Sequence, residues 1–280
     1  HPRRRVALQG LLTGTAYSGF HSVSTTVADG SQVFDERNLV VLSRFPIAAS
    51  AQIKHDIVPR PAYRKVTAIP AEVAADDVSW ERPILHVTIT LPDGAALHVV
   101  NVHLKSKLPS SVDGQKLDSF RWRSISGWAE GFFLSAMKRV GQALEARALV
   151  DSLFDADEDA FVVVAGDFNA DTDEVPIEAI RGEVENTGNG ALAPRVLLPC
   201  EQSVPDSSRY SLFHRGRGNM LDHLLASRPL LAHYRGTEIH NEVLHDEWIG
   251  SAARSSCPRS DGALVRAGGL RRAPSAARDG

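Results

Sequence analysis

The chain has 280 residues, 43% of them hydrophobic and 23% charged, with a formal net charge of −3, which is the make-up of an ordinary soluble globular protein with a substantial core in one or two domains. No apolar stretch approaches the roughly 20 residues of a membrane span, and the mild acidity argues against a dedicated nucleic-acid coat protein. Two cysteines, Cys200 and Cys257, exclude a disulfide framework or a four-thiolate zinc site and favour a reducing, cytoplasmic setting, with one extracellular bridge left open.

In chain order, His1-Pro2-Arg3-Arg4-Arg5 carries charge with no long apolar core behind it, so no secretory signal is read there. Asn38 to Leu42 is strand-like. Leu85 to Leu91 alternates, and Pro92-Asp93-Gly94 then turns it into Leu97 to Leu104, a hairpin signal. After a loop rich in Lys, Ser and Trp, the spacing of Met137, Val140, Leu144 and Ala148 predicts an amphipathic helix over Ser135 to Phe154.

The acidic turn Asp155 to Asp159 leads into Phe161 to Ala165, which is short and β-branched enough for a strand buried on both faces. Gly166 lets the backbone turn, and Asp167 and Asn169 follow it. A second helix is predicted at Val175 to Ile180, with Pro176 in its first turn. Asn219 to Ala226 reads as a further strand entered from a Gly/Arg loop, so the class is α/β or α+β around a layered sheet. Gly262 to Gly280 is nearly all Ala, Gly, Arg, Leu, Ser and Pro and reads as a disordered tail.

An acid and an amide at the end of a buried strand suit phosphate chemistry, because a carboxylate can orient or deprotonate water while an amide donates to a phosphoryl oxygen. Alone, Gly166-Asp167-Phe168-Asn169 is equally an Asx turn. Other segments change the balance: Asn38 to Ile47, Val99-Val100-Asn101-Val102-His103-Leu104, the Gly166 to Asp171 run, Met220-Leu221-Asp222-His223-Leu224-Leu225, and Ser260-Asp261.

In that order these blocks resemble the endonuclease/exonuclease/phosphatase superfamily, which holds deoxyribonucleases, apurinic endonucleases, sphingomyelinases and inositol polyphosphate phosphatases. The resemblance implies a four-layer α/β (α+β) sandwich, two packed β-sheets flanked by helices, over residues 1–261. It also implies Mg²⁺- or Mn²⁺-dependent phosphoester hydrolysis. Carried over residue by residue, His103 contacts the scissile phosphate, Asp167 activates water and Asn169 holds phosphate or water beside it. Asp222 pairs with a partner histidine, and Asp261 lies near the metal.

Two departures accompany the likeness. Gly262 stands where the family's Ser-Asp-His motif has its histidine, through a reading-frame change or a degenerate terminus. Gly10 stands where a strand ending in Gln-Glu would supply the main metal ligand, and the strand before it has no counterpart. The expectation is a domain incomplete at both ends, with an impaired enzyme as the reading and a catalytically inactive pseudoenzyme that binds phosphorylated ligands or a protein partner as the alternative. Glu36 is a weaker substitute ligand.

His240, Glu242, His245, Asp246 and Glu247 offer metal-ligand chemistry, but their spacing fits no helical zinc pattern and a polar loop is the simpler reading. Lys105, Lys107, Lys116, Arg121, Arg123, Lys138, Arg139 and Arg147 form a candidate electropositive lip. Its aromatic neighbours Trp122, Trp128, Phe132 and Phe133 suit base stacking, lipid contact or a packed insertion loop. The basic, aromatic loop leans the phosphoester substrate toward nucleic acid. No integral membrane association is expected, and the oligomeric state is open.

Overall fold

In a computed structural model, residues 10, 12–26 and 38–246 are described. Asp261, Gly262, Glu36, Glu247, Cys257 and the 262–280 segment lie outside them. Apart from the two-residue strands Ala62–Tyr63 and Asp76–Asp77, which pair with each other, the described strands are β1 His21–Ser24, β2 Val40–Ser43, β3 Ile47–Ile53, β4 Ile84–Thr90 and β5 Ala96–His103. They continue with β6 Phe161–Asp167, β7 Leu198–Pro199, β8 Leu212–His214, β9 Arg217–Asn219 and β10 Asp222–Ala226. Two helices matter here, α1 Ile125–Ala156 and α2 Val175–Arg181.

Six strands form one sheet in the order β3-β4-β5-β6-β10-β7. The β4–β5 hairpin closes as expected, Gly94 taking φ 88° and Leu91 N–H reaching the Ala95 carbonyl. β5 and β6 run parallel with α1 as the crossover.

Alternation along the strands sends Val100, Val102, Val162, Val164 and Leu225 to one face. There they pack with Ala143, Ala146, Val150 of α1 and Ile177, Ile180 of α2 in the main core. Leu85, Val87, Ile89, Leu97 and Val99 point the other way, onto Val23, Leu39 and Val41 of the β1–β2 ribbon. The result is an α/β sandwich: helices, a full sheet, and two strands of a second layer.

The strand buried on both faces is half right. Val162 and Val164 are fully buried, but Val163 and Ala165 are only half-buried, and Leu224 of the neighbouring β10 is 42% exposed. Among the described residues the ribbon packs over β3, β4 and β5, which leaves β6 and β10 covered on the helix side alone.

The main helix also begins ten residues earlier than predicted. Ser124 caps it, its hydroxyl accepting the Gly127 N–H at 3.0 Å. Gly131 lies in that first stretch, and a Cβ on it would sit 2.5 Å from the Ser110 carbonyl oxygen. The glycine lets the 108–112 loop cross the helix closely. The helix then carries a second, smaller core in which Leu134 meets Ala68 and Val112.

Candidate active site

The parallel register of β5 and β6 sets His103 beside Asp167, and β10, antiparallel on the other side of β6, sets Asp222 opposite Asp167. Three adjacent strand ends thus bring three of the sequence-predicted site residues to one edge. His103 shares the face of Leu97 and Val99 by the two-residue period, so the cluster lies on the face away from α1.

His103 Nε2 is 3.2 Å from Asp167 Oδ2. The other Asp167 oxygen accepts the Asn169 backbone N–H at 2.9 Å, the Asx turn expected of this sequence. Asn169 is held left-handed at φ 49°, and its side-chain amide donates to the Leu104 carbonyl at 3.0 Å. It braces the ends of β5 and β6 against each other.

The backbone N–H groups of Leu221 and Asp222 both donate to Ser211 Oγ at 3.0 Å, fixing the start of β10. Removal from water, and then the neighbouring Asp167 carboxylate, push the Asp222 carboxyl above the ordinary aspartate range.

Gly166 makes the close approach possible. Its φ is 138°, and a Cβ there would stand 2.0 Å from the Val102 carbonyl oxygen. Gly166→Ala is therefore expected to cost roughly 2–4 kcal/mol, from backbone strain plus overpacking, and to part His103 from Asp167. Chemical denaturation checks it: a midpoint within error of the parent would mean the strand end has slack.

The residues behind the cluster escaped the sequence reading. Arg82, 7% exposed, donates through Nε to the His103 carbonyl at 2.9 Å and through Nη2 to the Leu104 carbonyl at 3.0 Å. Gln142 of α1 links Arg82 to the same loop, donating to the Arg82 carbonyl and accepting the Lys105 N–H. A cation and an amide thus finish the carbonyl ladder where β5 ends. An isolated Arg between apolar segments gives no sequence signal of this.

On the helix side of β10, His223 and Glu201 form a buried pair, with Nδ1 2.6 Å from Glu201 Oε1 and Nε2 2.9 Å from the Ala170 carbonyl. Burial alone would favour the neutral ring, but the Glu201 and Ala170 hydrogen bonds outweigh it and raise the His223 pKa. Both ring nitrogens face acceptors, which fits the doubly protonated form. The readable signal was His223 two residues before Leu225, on the core face.

Much of the electropositive lip is committed to the fold. Lys107 pairs with Glu174 at 2.6 Å, Lys138 with Glu81 at 3.0 Å, and Arg147 with Asp151. Arg139 donates to the Lys105 and Ser106 carbonyls. The 240–246 segment is a polar loop: Asn241 donates to the Ser208 and Tyr210 carbonyls, and Asp246 accepts the Arg215 and Gly216 N–H groups.

A family model described as "Endonuclease/Exonuclease/phosphatase family" matches residues 116–255, which is half of the chain. The chain belongs to the endonuclease/exonuclease/phosphatase family. Solved structures similar to it include a mannosyl-6-phosphatase of Bacteroides thetaiotaomicron, at 14% identity and a TM-score of 0.42 over 75% of this chain and 64% of that one. Truncated TDP2 of Caenorhabditis elegans gives 13% and 0.43 over 80% and 66%. Sphingomyelinase C of Streptomyces griseocarneus gives 17% and 0.35 over 68% and 52%. The chain thus spans about half to two thirds of the length of these structures. No curated protein matches it.

Members of this family are generally divalent-metal dependent. Asp167 and Asp222 bring two carboxylates to the family's strand ends, yet among the described residues no group of three or more His, Cys, Asp or Glu side chains is placed to hold a metal ion. Among the described residues, no helix is long and apolar enough to cross a membrane.

Proposed function

We propose that the chain is a phosphoester hydrolase whose reacting groups are His103, Asp167 and Asp222. One observation carries this: three neighbouring strand ends converge an imidazole and two carboxylates, with His103 Nε2 3.2 Å from Asp167. Asp167 orients or deprotonates the attacking water, and His103 donates to the phosphoryl oxygen that gains charge. Asn169 keeps a second amide hydrogen for the phosphate beyond the one it gives Leu104. Asp222, opposite Asp167 across the β6–β10 register, adds a second carboxylate beside the reacting centre, and Asp261 is the proposed contact for a cation. Gly262 in place of the family's histidine lowers turnover below that of a complete site.

The test is hydrolysis of bis(p-nitrophenyl) phosphate and of plasmid DNA by the purified chain with Mg²⁺ or Mn²⁺. Slow turnover is expected, reduced by about 10²–10³-fold in His103→Ala. Turnover indifferent to His103 rejects the assignment. Asn169's tie to Leu104, with Gly262 at the histidine position, favours a second reading, a phosphate-binding pseudoenzyme. Tight binding of a phosphorylated ligand without any turnover would select it.

A further inference from the structure

The helix α1 has 32 residues and so is about 48 Å long, roughly twice the reach of the seven- and eight-residue strands it covers. Gln142 lies level with the end of β5, where it accepts the Lys105 N–H. The preceding stretch, Ile125 to Gly141, is about 25 Å long and leads away from the edge that carries His103 and Asp167, with Glu130, Leu134 and Lys138 packed on the 63–82 and 108–112 loops. Its outermost turns, with the loop before them, form a projecting tip at the same end of the molecule as the candidate active site.

That tip is apolar where a monomeric surface is expected to be polar. A small hairpin closes at the Lys116–Trp122 bridge, with the Leu117 N–H bonded to the Arg121 carbonyl, and presents Phe120 at 91% exposure. Ile125 on the first helical turn is 83% exposed, Leu117 52% and Trp128 43%. Trp128 meets Phe132 edge-on at 4.6 Å, so the aromatic surface continues along the helix. A depression lined by Trp122, Arg123, Ser124, Ile125 and Trp128 lies between hairpin and helix.

Within residues 115–129 the cations are Lys116, Arg121 and Arg123 and the only acid is Asp118, although the whole chain has a net charge of −3. Arg121 pairs with Asp118, and Lys116 sits 4.1 Å over the Trp122 ring. A positive, aromatic tip on a negative body has a preferred orientation toward an anionic surface.

From this we propose that the tip is a docking surface for an anionic lipid bilayer, with Phe120, Ile125, Leu117 and Trp128 entering the interface and Lys116, Arg121 and Arg123 facing the headgroups. The side chains favour a bilayer over single-stranded nucleic acid. Leu117 and Ile125 offer bases nothing to stack on, whereas aliphatic and aromatic groups beside Lys and Arg suit the acyl–headgroup boundary.

The experiment is co-sedimentation of the full chain with phosphatidylcholine vesicles, with and without phosphatidylglycerol. Binding is expected to the phosphatidylglycerol vesicles, to weaken with salt, and to shift tryptophan emission to the blue. The double variant Phe120→Ser/Ile125→Ser should lower vesicle partitioning at least about tenfold with an unchanged melting curve, since both side chains are exposed. Arg121→Glu/Arg123→Glu should lower binding to the anionic vesicles alone. The proposal is overturned by absence of vesicle binding, or by binding that both variants retain. It is equally overturned if the double variant instead loses oligothymidylate binding or concentration-dependent self-association while vesicles go unbound.

Discussion

Glu201→Ala is expected to destabilise the fold by about 3–5 kcal/mol, with a fall in Tm on the order of 10 °C. The side chains of His223 and Glu201 are 0% and 2% exposed. Removing the carboxylate leaves an imidazole between a void and the Ala170 carbonyl, and deprives the Leu224 N–H of its acceptor. Glu201→Gln, which keeps an acceptor but no charge, should lose less. The pH dependence has a definite sign: the folded His223 pKa lies above its ordinary 6.5, so the pair's stabilisation is complete below about that pH. It should fade as pH rises through the folded value. Urea midpoints of parent and His223→Phe across that range test this, and a parent whose stability relative to the variant rises with pH would reverse the assignment.

How much of this was legible depended on whether a signal was local. The β4–β5 hairpin was readable because alternation and Pro92-Asp93-Gly94 sit side by side in sequence. The β6 strand end was readable for the same reason. The family was visible in the sequence because several such local blocks recur in order, and the matching family model agrees. What stayed hidden joins residues far apart. Arg82 reaches His103 across 21 positions and Glu201 reaches His223 across 22. The start of α1 was hidden for another reason: Gly131 weakens a helix by propensity, and only the crossing loop at Ser110 shows why it is there. The second face of β6 was read as buried because an apolar run records the potential to be covered, not the cover.

Asp167→Asn is expected to reduce phosphoester turnover by about 10²–10⁴-fold while the fold persists. The amide oxygen of Asn still accepts the Asn169 N–H, so the turn that follows β6 survives, and a polar atom still faces His103. What disappears is the carboxylate proposed to draw a proton from water. KM should change little, because a group that acts on water contributes more to the transition state than to substrate binding. Asp171→Asn is the matched control. It lies four residues on in the same loop, where its carboxylate accepts the Thr172 N–H, and it has no contact with His103 among the hydrogen bonds that fix the strand ends. Its turnover should stay within about twofold of the parent, well under the roughly 1.4 kcal/mol that a tenfold effect represents. Equal losses in the two variants would assign the effect to the shape of the loop and remove Asp167 from the role of base. A loss confined to Asp167→Asn, with matching melting curves, assigns the effect to the Asp167 carboxylate and not to the shape of the loop.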